Sequence, residues 1–300
     1  MGKCLVTGGC GFIGSHIVDK LISLGHKVLV IDNLSAKDKS GFHFNKKASY
    51  HEEDVADYGK ILPFFKNVDY VFHLAAMSKI GYCLENPQEA CRVNYLGVCS
   101  VLEASRRFNI KRVVYSSTSS VYGLKNRIPL KEHAPIDCLN PYSASKAAGE
   151  ELCRMYYKLW GLETVILRYF NVFGERQPTM GQYAPVIGIF LKQKREGKKM
   201  TIVGDGRQTR DYTHVSDVVE ANIRATYSGN NKAVGETINV GSGKRYSILD
   251  IAKMIGGKYN FIPKRKGEAR DTLADITKLK KFLSVIPRGN LRQWIEYHNE

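Results

Sequence analysis

A tyrosine and a lysine four positions apart carry the clearest chemical signal in this chain. Tyr142 and Lys146 form a Y-x-x-x-K pattern within the segment PYSASKAAGEE. Residues four apart share one face of a helix. A phenol with its ordinary pKa of about 10 is a poor base at neutral pH, and a nearby ammonium lowers that pKa by stabilising the phenolate. The spacing therefore predicts an activated tyrosine, although surface pairs also show it by chance.

A run of hydroxyl side chains precedes that helix. Residues 116–120 read SSTSS and follow the apolar segment RVVY. Such a run indicates either a polar loop or the end of a buried strand. We predict a strand end that presents Thr118, the catalytic hydroxyl, to a substrate oxygen. Ser116 then lies near the sheet edge, while Ser119 and Ser120 support the turn or reach the substrate themselves.

Glycines recur every three residues between the first predicted strand and the first predicted helix. In TGGCGFIGSH they are Gly8, Gly11 and Gly14, which is the context of a dinucleotide-binding loop. They would allow a tight turn, the approach of a pyrophosphate and close helix–strand packing, respectively. The helix that begins at Phe12 and Ile13 offers free N–H groups to phosphates. A glycine turn kept only for packing is the other interpretation.

Asp32 indicates which dinucleotide the loop would bind. It ends the second predicted strand, eighteen residues after Gly14, and Asn33 follows it. A carboxylate there accepts hydrogen bonds from the adenosine ribose hydroxyls and repels a 2′-phosphate. The sequence therefore predicts NAD rather than NADP as the cofactor.

Two other strand ends complete the predicted cofactor site. A side chain after the short third strand can meet the adenine edge, although a carboxylate there can equally cap a helix. Small residues after the fourth strand leave room for the cofactor, or they belong to the core. These positions are Asp54 and Val55, then Leu74, Ala75 and Ala76.

Alternating strands and helices must bring these positions together. Segments with strand character are 3–8, 27–32, 69–76, 111–117 and 163–170, and segments with helical spacing are 12–24, 87–108 and 142–160. This order predicts an α/β fold with a Rossmann-type doubly wound parallel sheet. Its ligand crevice would lie at the carboxyl ends of the strands.

The composition of the sequence changes after Phe170, where segments rich in glycine, proline and polar residues predict loops. We predict an NAD-binding domain at 1–168 and a smaller C-terminal α/β domain at 169–300 that binds the substrate. A helical pattern at 213–227 suggests that 212–228 return to the first domain.

Composition limits the remaining classes. The chain has 300 residues and a formal net charge of +16. Because its Lys and Arg are scattered, we predict a solvated basic surface that attracts anionic small molecules, without a nucleic-acid partner. Seven cysteines without a C-x-x-C pair argue against disulfides and against a metal site. No apolar run reaches the roughly 18 residues that span a bilayer, and no signal-peptide pattern is present, so we predict a cytoplasmic protein without membrane contacts.

These segments together resemble a known family. TGGCGFIGSH, HLAA, SSTSSVYG, PYSASK, RYFNVFG and RDYTHVSDV follow one another through nearly the whole chain. The chain resembles the extended short-chain dehydrogenase/reductases and, within them, the NAD-dependent nucleotide-sugar 4-epimerases. The resemblance implies tightly bound NAD with Ser116, Tyr142, Lys146 and Tyr169 beside it. It also implies that the residue matching Tyr142 removes the 4-hydroxyl proton while hydride leaves C4 for NAD⁺, and that the 4-keto sugar then turns and takes the hydride back.

Two serines bear on the subclass that the resemblance implies. Related 4,6-dehydratases carry an Asp-Glu pair after the matching Thr, because elimination of water needs an extra acid and base. UDP-glucuronate decarboxylases similarly carry a Glu at the position of Ser120. Ser119 and Ser120 cannot do that proton transfer, which fits an epimerase.

The resemblance also carries over a binding site for a UDP-sugar. Arginine forks suit the diphosphate, and the other positions match contacts to the sugar, base or ribose. The implied residues are Ser78, Thr118, Ser119, Asn171, Val186, Arg210, Arg265, Glu268, Arg270 and Thr272. Glu268 departs from the Asp of many relatives, which puts its ribose contact in doubt.

Thr272 stands where side-chain size selects the sugar in the family. A Tyr there tends to exclude a 2-N-acetyl group, and a small residue admits it. Together with loop 174–185, Thr272 predicts a UDP-GlcNAc/UDP-GalNAc 4-epimerase that also accepts UDP-Glc and UDP-Gal. The alternatives are a UDP-glucuronate 4-epimerase, a 4-keto-sugar reductase, and a non-catalytic NAD-binding or nucleic-acid-binding protein.

Two predicted helices, 87–108 and 142–160, match the pair that forms a four-helix dimer interface in relatives. A homodimer is therefore expected, although the same apolar positions fit a monomer core. These positions are Leu102, Leu152, Met155, Tyr156 and Leu159.

Overall fold

A seven-stranded sheet dominates the computed structural model, which describes residues 2–36, 41–179, 185–227, 232–264 and 269–299. The strands described are β1 (Lys3–Thr7), β2 (Lys27–Ile31), β3 (Ser49–His51), β4 (Tyr70–His73), β5 (Arg112–Thr118), β6 (Thr164–Tyr169), β7 (Asn171–Phe173), β8 (Met200–Val203), β9 (Thr209–His214), β10 (Thr237–Val240), β11 (Arg245–Ser247) and β12 (Tyr259–Ile262). The large sheet has the order β10-β6-β5-β4-β1-β2-β3, and every pair in it is parallel. The predicted Rossmann-type fold is confirmed.

Helices cover both faces of this sheet. They are α1 (Phe12–Ser23), α2 (Tyr58–Ile61), α3 (Ile80–Glu85), α4 (Pro87–Cys91), α5 (Gly97–Arg107), α6 (Pro141–Trp160), α7 (Val186–Arg195), α8 (Val215–Tyr227), α9 (Ile248–Ile255), α10 (Thr277–Leu283) and α11 (Leu291–His298). Apolar residues of α1 and α8 pack on one face, and those of α5 and α6 on the other. Because both faces are covered, every residue of β5 is buried, including its hydroxyl residues. Within the described ranges, no helix has both the length and the apolar character needed to cross a membrane.

The helix predicted at 87–108 is interrupted. A π-helical turn at Arg92–Leu96 joins α4 to α5, and such turns are frequent at functional sites. Its buried Asn94 accepts a hydrogen bond from the Met77 N–H at 2.8 Å and donates to the Met77 carbonyl and the Ser145 hydroxyl. The turn therefore fastens the loop after β4 to α6.

The remaining strands form two small sheets beside the large one. One has the order β11-β9-β7, and the other pairs β12 with β8. Apolar residues of α7, α9 and α11 form a separate core with them. The helix predicted at 213–227 begins only at Val215, because Thr213 and His214 pair with β7 as part of β9.

One strand of the large sheet comes from beyond the predicted boundary. β10 pairs with β6, although its residues lie in the segment 169–300 assigned to the substrate domain. Residues 169–300 therefore contribute more to the large sheet and its helices than the predicted segment 212–228 alone. The division at residue 168 stays a prediction for the domains themselves.

The apolar positions assigned to a dimer interface separate into two groups. Leu102, Leu152 and Tyr156 are buried in the core of this chain, and Met155 packs against that core. Leu159 is 66% exposed. Of these five side chains, Leu159 is therefore the one with enough exposed surface to form a contact with another subunit.

Candidate active site

A cleft of about 710 Å³ opens at the carboxyl ends of the parallel strands, where ligands bind in sheets of this topology. It brings together predicted residues from six strand ends and two helices. They are Gly8, Gly11, Phe12, Ile13, Gly14, Asp32, Asn33, Val55, Leu74, Ala75, Ala76, Ser78, Ser116, Thr118, Tyr142, Lys146 and Tyr169.

The glycine loop closes tightly between β1 and α1. Gly8 has a φ of 71°, a conformation that side chains other than glycine rarely adopt. A Cβ on Gly8 would lie 2.7 Å from the Ala75 nitrogen, and one on Gly14 would collide with the Gly8 carbonyl oxygen. The first turn of α1 has neither an acidic residue nor a side-chain cap. Its N–H groups therefore suit a pyrophosphate.

Asp32 is held at the rim of the cleft by two backbone N–H groups. Its carboxylate accepts hydrogen bonds from Cys10 at 2.9 Å and from Leu34 at 3.0 Å. Burial raises the pKa of Asp32 above its ordinary value, and these hydrogen bonds oppose the rise. Each carboxylate oxygen retains a second lone pair for a ribose hydroxyl. The loop, the helix N-terminus and this carboxylate together fit NAD.

Asp54 does not line the cleft, in contrast to its neighbours Glu53 and Val55. Its carboxylate accepts a hydrogen bond from the Arg92 guanidinium at 2.7 Å and another from the Ala56 N–H at 2.9 Å. Burial acts to raise the pKa of Asp54, but these hydrogen bonds outweigh it and the pKa is lowered. Val55 therefore lies in the cleft lining and Asp54 beside it, and the adenine contact predicted for this pair stays a prediction.

The three predicted catalytic residues meet where β5 faces α6. Asn140 and Ser143 form a capping box at the start of α6, which places Tyr142 in the first turn and Lys146 one turn later. Thr118 ends β5 and accepts a hydrogen bond from the Ser120 N–H at 3.1 Å. The Thr118 side chain also interacts with the Tyr142 phenol and acts to lower its pKa. Hydroxyl, phenol and amine therefore share one wall of the cleft.

Burial sets the acidity of this group. It raises the pKa of Tyr142 to about 12, against the lowering effect of Thr118. It also lowers the pKa of Lys146 to about 7. The expected lowering of the phenol pKa by Lys146 is therefore not present in the protein alone. Lys146 has little effect on the phenol pKa because the lysine is itself desolvated, so that near pH 7 it carries its positive charge only part of the time.

Most of the implied substrate residues lie outside the described cleft lining. Ser119 is buried in the turn after β5. The others belong to the small sheets, α7 or the segment after β12, namely Asn171, Val186, Arg210, Arg270 and Thr272. Arg265 and Glu268 fall outside the described residues. Of the residues implied for substrate binding, the described cleft lining thus contains Ser78 and Thr118.

Two of these side chains have partners that differ from the prediction. Arg270 forms an ion pair with Asp205 at 2.9 Å. Thr272 is 5% exposed, and its hydroxyl accepts a hydrogen bond from the Asp211 N–H at 3.2 Å. Thr272 is packed against β9 and lies outside the described cleft lining, and its role as a gate for the sugar stays a prediction.

Sequence reasoning missed several residues that line the cleft. Two of them, Met77 and Lys79, flank the predicted Ser78 just before α3. Arg176, from the loop after β7, donates hydrogen bonds to Ser15 and Asp19. Lys79 could have been found, because it extends the same strand-end loop as HLAA. Arg176 could not, because its neighbours are about 160 residues away in sequence.

Known proteins resemble this chain in sequence and in fold. Residues 4–241 match the NAD dependent epimerase/dehydratase family model. The UDP-glucose 4-epimerase of Thermotoga maritima, solved with UDP-glucose, is 33% identical, with a TM-score of 0.93 over 99% of this chain and 97% of that one. The UDP-N-acetylglucosamine 4-epimerase of Methanobrevibacter ruminantium is 34% identical, with a TM-score of 0.91 over 99% and 97%. The UDP-glucuronic acid 4-epimerase of Bacillus cereus, solved with UDP-glucuronic acid and NAD, is 32% identical, with a TM-score of 0.87 over 99% and 98%.

Proposed function

This chain belongs to the NAD-dependent epimerase/dehydratase family, and from that premise we propose that it reversibly inverts C4 of a UDP-sugar. NAD is its cofactor. One observation carries the proposal. Thr118, Tyr142 and Lys146 line one wall of the same cleft, with Thr118 acting to lower the pKa of the Tyr142 phenol and Lys146 one turn further along α6.

Each of these side chains has a distinct role in the proposal. Tyr142 takes the proton of the sugar 4-hydroxyl and later returns it to the other epimer. Thr118, fixed at the end of β5, holds the phenol and bridges to the substrate oxygen. The charged form of Lys146 favours the phenolate. When bound, NAD supplies a hydride acceptor and donor for C4.

The surroundings of Thr118 favour epimerisation over elimination. Dehydration would need an additional acid and base beside the sugar, and Ser119 and Ser120 follow Thr118 instead. Among the described cleft-lining residues, the carboxylates are Asp32, Glu53 and Glu89. The first two follow β2 and β3, at the opposite edge of the sheet from β5 and β6, and Glu89 is paired with Arg92.

We assign UDP-GlcNAc and UDP-GalNAc as the preferred substrate pair, with UDP-Glc and UDP-Gal also accepted. The small volume of Thr272 supports this choice. Because Thr272 is packed against β9, its effect would be to leave space behind the pocket rather than to touch the sugar. Relatives of similar identity act on either pair according to their names.

A UDP-glucuronate pair is the second candidate, and one observation favours it. Lys79 and Ser78 line the cleft at the start of α3, and Met77 just before them packs with Cys83 and Tyr142. A cation and a hydroxyl at that position suit a sugar carboxylate.

The test is to incubate the purified protein, without added cofactor, with each of the three substrate pairs and follow interconversion by NMR. We expect the N-acetylated pair to turn over fastest. Turnover of the UDP-Glc pair alone would refute the argument from Thr272, and a preference for the UDP-glucuronate pair would select the second candidate. A reaction that required added NADPH and ran in one direction would indicate a reductase.

A C4-deuterated substrate tests the chemistry independently of the sugar. Because the hydrogen leaves and returns within one active site, the label should remain on C4 through inversion. Loss of deuterium to bulk water would contradict the proposed reaction.

A further inference from the structure

We propose that Tyr115 is a positioning residue for Lys146 and that its aromatic ring, rather than its hydroxyl, keeps the lysine charged and in place. This inference rests on the proposed function, because it concerns the lysine that assists Tyr142. Neither the spacing of the sequence nor the reaction itself assigns a role to Tyr115.

The geometry of the contact is specific. The Lys146 ammonium nitrogen lies 4.3 Å from the centre of the Tyr115 ring, well within the range of a cation–π interaction. The Tyr115 hydroxyl donates a hydrogen bond to the backbone carbonyl of Lys146 at 3.3 Å. A single side chain of β5 thus contacts both the backbone and the charged end of the same lysine on α6.

The ring is held from several sides. Tyr115 is fully buried. The His73 ring stacks with it at a centroid distance of 5.8 Å and an angle of 24°, and His73 is bonded to Thr7 at 2.7 Å. On α6, a Cβ at Gly149 would collide with the Tyr115 hydroxyl. Glycine at that position is what allows the ring to approach the helix.

The other titratable groups near Lys146 contribute little negative charge to balance its ammonium. Burial, together with the charge of Lys146, lowers the pKa of His73 on β4 to about 3, so His73 is neutral. On α6, burial raises the pKa of Tyr142 and of Cys153, so both are uncharged at neutral pH. Glu150 is charged, but its two oxygens are bonded to Arg168 and Ser117.

The Tyr115 ring therefore offers the buried ammonium an aromatic face at 4.3 Å, in addition to the charge of Glu150, which acts to raise the pKa of Lys146. A desolvated cation gains more from an aromatic face than an exposed one. Without the ring, burial would remove the proton of Lys146 at lower pH. A neutral amine cannot stabilise a phenolate, so activity would fall on the alkaline side of the pH profile.

Two variants of Tyr115 separate the ring from the hydroxyl. Tyr115→Phe keeps the ring, and we expect kcat within about threefold of the wild type and an unchanged alkaline limb. Tyr115→Leu removes the ring, and we expect kcat to fall by more than about tenfold, with KM for the UDP-sugar little changed. Its alkaline limb should move to lower pH by about one unit.

A matched control removes a buried ring elsewhere in the sheet. Phe72 lies on β4, beside β5, and is fully buried. Phe72→Leu should lower the melting temperature as much as Tyr115→Leu does, yet leave the alkaline limb unmoved. A shift of the limb in both variants would show that it follows general loosening and would overturn the proposal.

A second readout does not depend on turnover. NMR titration of ¹³C-labelled lysines, with Lys146 assigned through Lys146→Arg, follows the lysine in the NAD-loaded protein directly. We expect its titration to move to lower pH in Tyr115→Leu and to stay in place in Tyr115→Phe. An unchanged titration in Tyr115→Leu, or equal damage in both variants, would overturn the inference. Absence of epimerisation in the wild type would instead overturn only the proposed function.

Discussion

Glu150 on α6 and Arg168 on β6 form a two-point ion pair inside the protein. The Arg168 Nε donates to Glu150 Oε1 at 2.8 Å, and its Nη2 donates to Oε2 at 2.7 Å. Both side chains are almost completely buried. Ser117, one residue before Thr118, also donates to Glu150 at 2.6 Å. The pair thus joins the helix that carries Tyr142 and Lys146 to the two strands beside it.

Removing one partner of this pair should be costly. Arg168→Met leaves a buried carboxylate without its main partner, and we expect the free energy of unfolding to drop by about 3–5 kcal/mol. The exposed pair Arg224–Glu220 is a control, and Arg224→Met should cost less than about 1 kcal/mol. Chemical denaturation at pH 7 measures both. Equal losses would show that burial does not distinguish the two pairs.

The same pair makes stability depend on pH. Burial acts to raise the pKa of Glu150, but the hydrogen bonds and charge of Arg168 outweigh it and leave the pKa lowered. A carboxyl with a lowered folded pKa stabilises the protein above its unfolded pKa, and this contribution is lost as pH falls through the folded value. The difference in stability between the wild type and Arg168→Met should therefore shrink in acid. A constant difference down to strongly acidic pH would contradict this account.

The phenol of Tyr142 should be indispensable for turnover and dispensable for the fold. Tyr142→Phe removes only the hydroxyl, and we expect kcat to fall by at least about 100-fold while bound NAD is retained. Tyr156→Phe, on the same helix, removes a hydroxyl that contacts Glu103 and should leave turnover nearly unchanged. Interconversion followed by NMR and NAD content per chain are the measurements. Near-normal turnover in Tyr142→Phe would require another base.

Asp32 should determine cofactor choice through its charge. Asp32→Asn retains an acceptor but loses the negative charge, and NAD should bind about 10- to 100-fold more weakly, as expected for hydrogen bonds to a charged group. Discrimination against NADP should fall as well. Asp69→Asn, at the opposite end of the sheet where Asp69 bonds the Lys3 N–H, is the control. Unaltered NAD retention after gel filtration of Asp32→Asn would rule out this role.

A homodimer through α5 and α6 is expected from the apolar residues that these helices expose. Leu159 and Trp160 are 66% and 48% exposed at the end of α6, and Tyr95 and Leu96 are 44% and 48% exposed before α5. Leu159→Glu should convert the protein to a monomer in light scattering, because a buried unpaired charge opposes association. Phe261→Glu, an exposed site on β12, should not. A wild-type monomer at micromolar concentration would contradict the expectation.

Local patterns were sufficient for the fold class, and most of the residues that they predicted for the cofactor line one cleft. Gly8, Gly14 and Asp32 could be assigned because strand, turn and helix follow each other directly in the chain. Parallel crossovers then bring the strand ends to one edge, so residues far apart in sequence line one cleft. The family, the fold and NAD as cofactor are confirmed.

The substrate side was harder because its residues depend on contacts across long loops. Thr272 could be matched by position, but that it is packed against β9 follows from a pairing with residues about 60 positions earlier. β10 joins the large sheet for a similar reason, since three strands of the small sheets, β7, β8 and β9, separate it in the chain from its partner β6.

The amino-acid order by itself therefore determined which chemical groups this protein possesses and which edge of a sheet they share. Only the tertiary structure decided how those groups are charged and held. The packing of α6 against β5 buries Lys146 and partly buries Tyr142, which raises the pKa of the phenol and lowers that of the amine, so that both neutral forms are favoured. That burial also places Lys146 on the ring of Tyr115. Desolvation is a sum over neighbours from many parts of the chain, so no local pattern contains it.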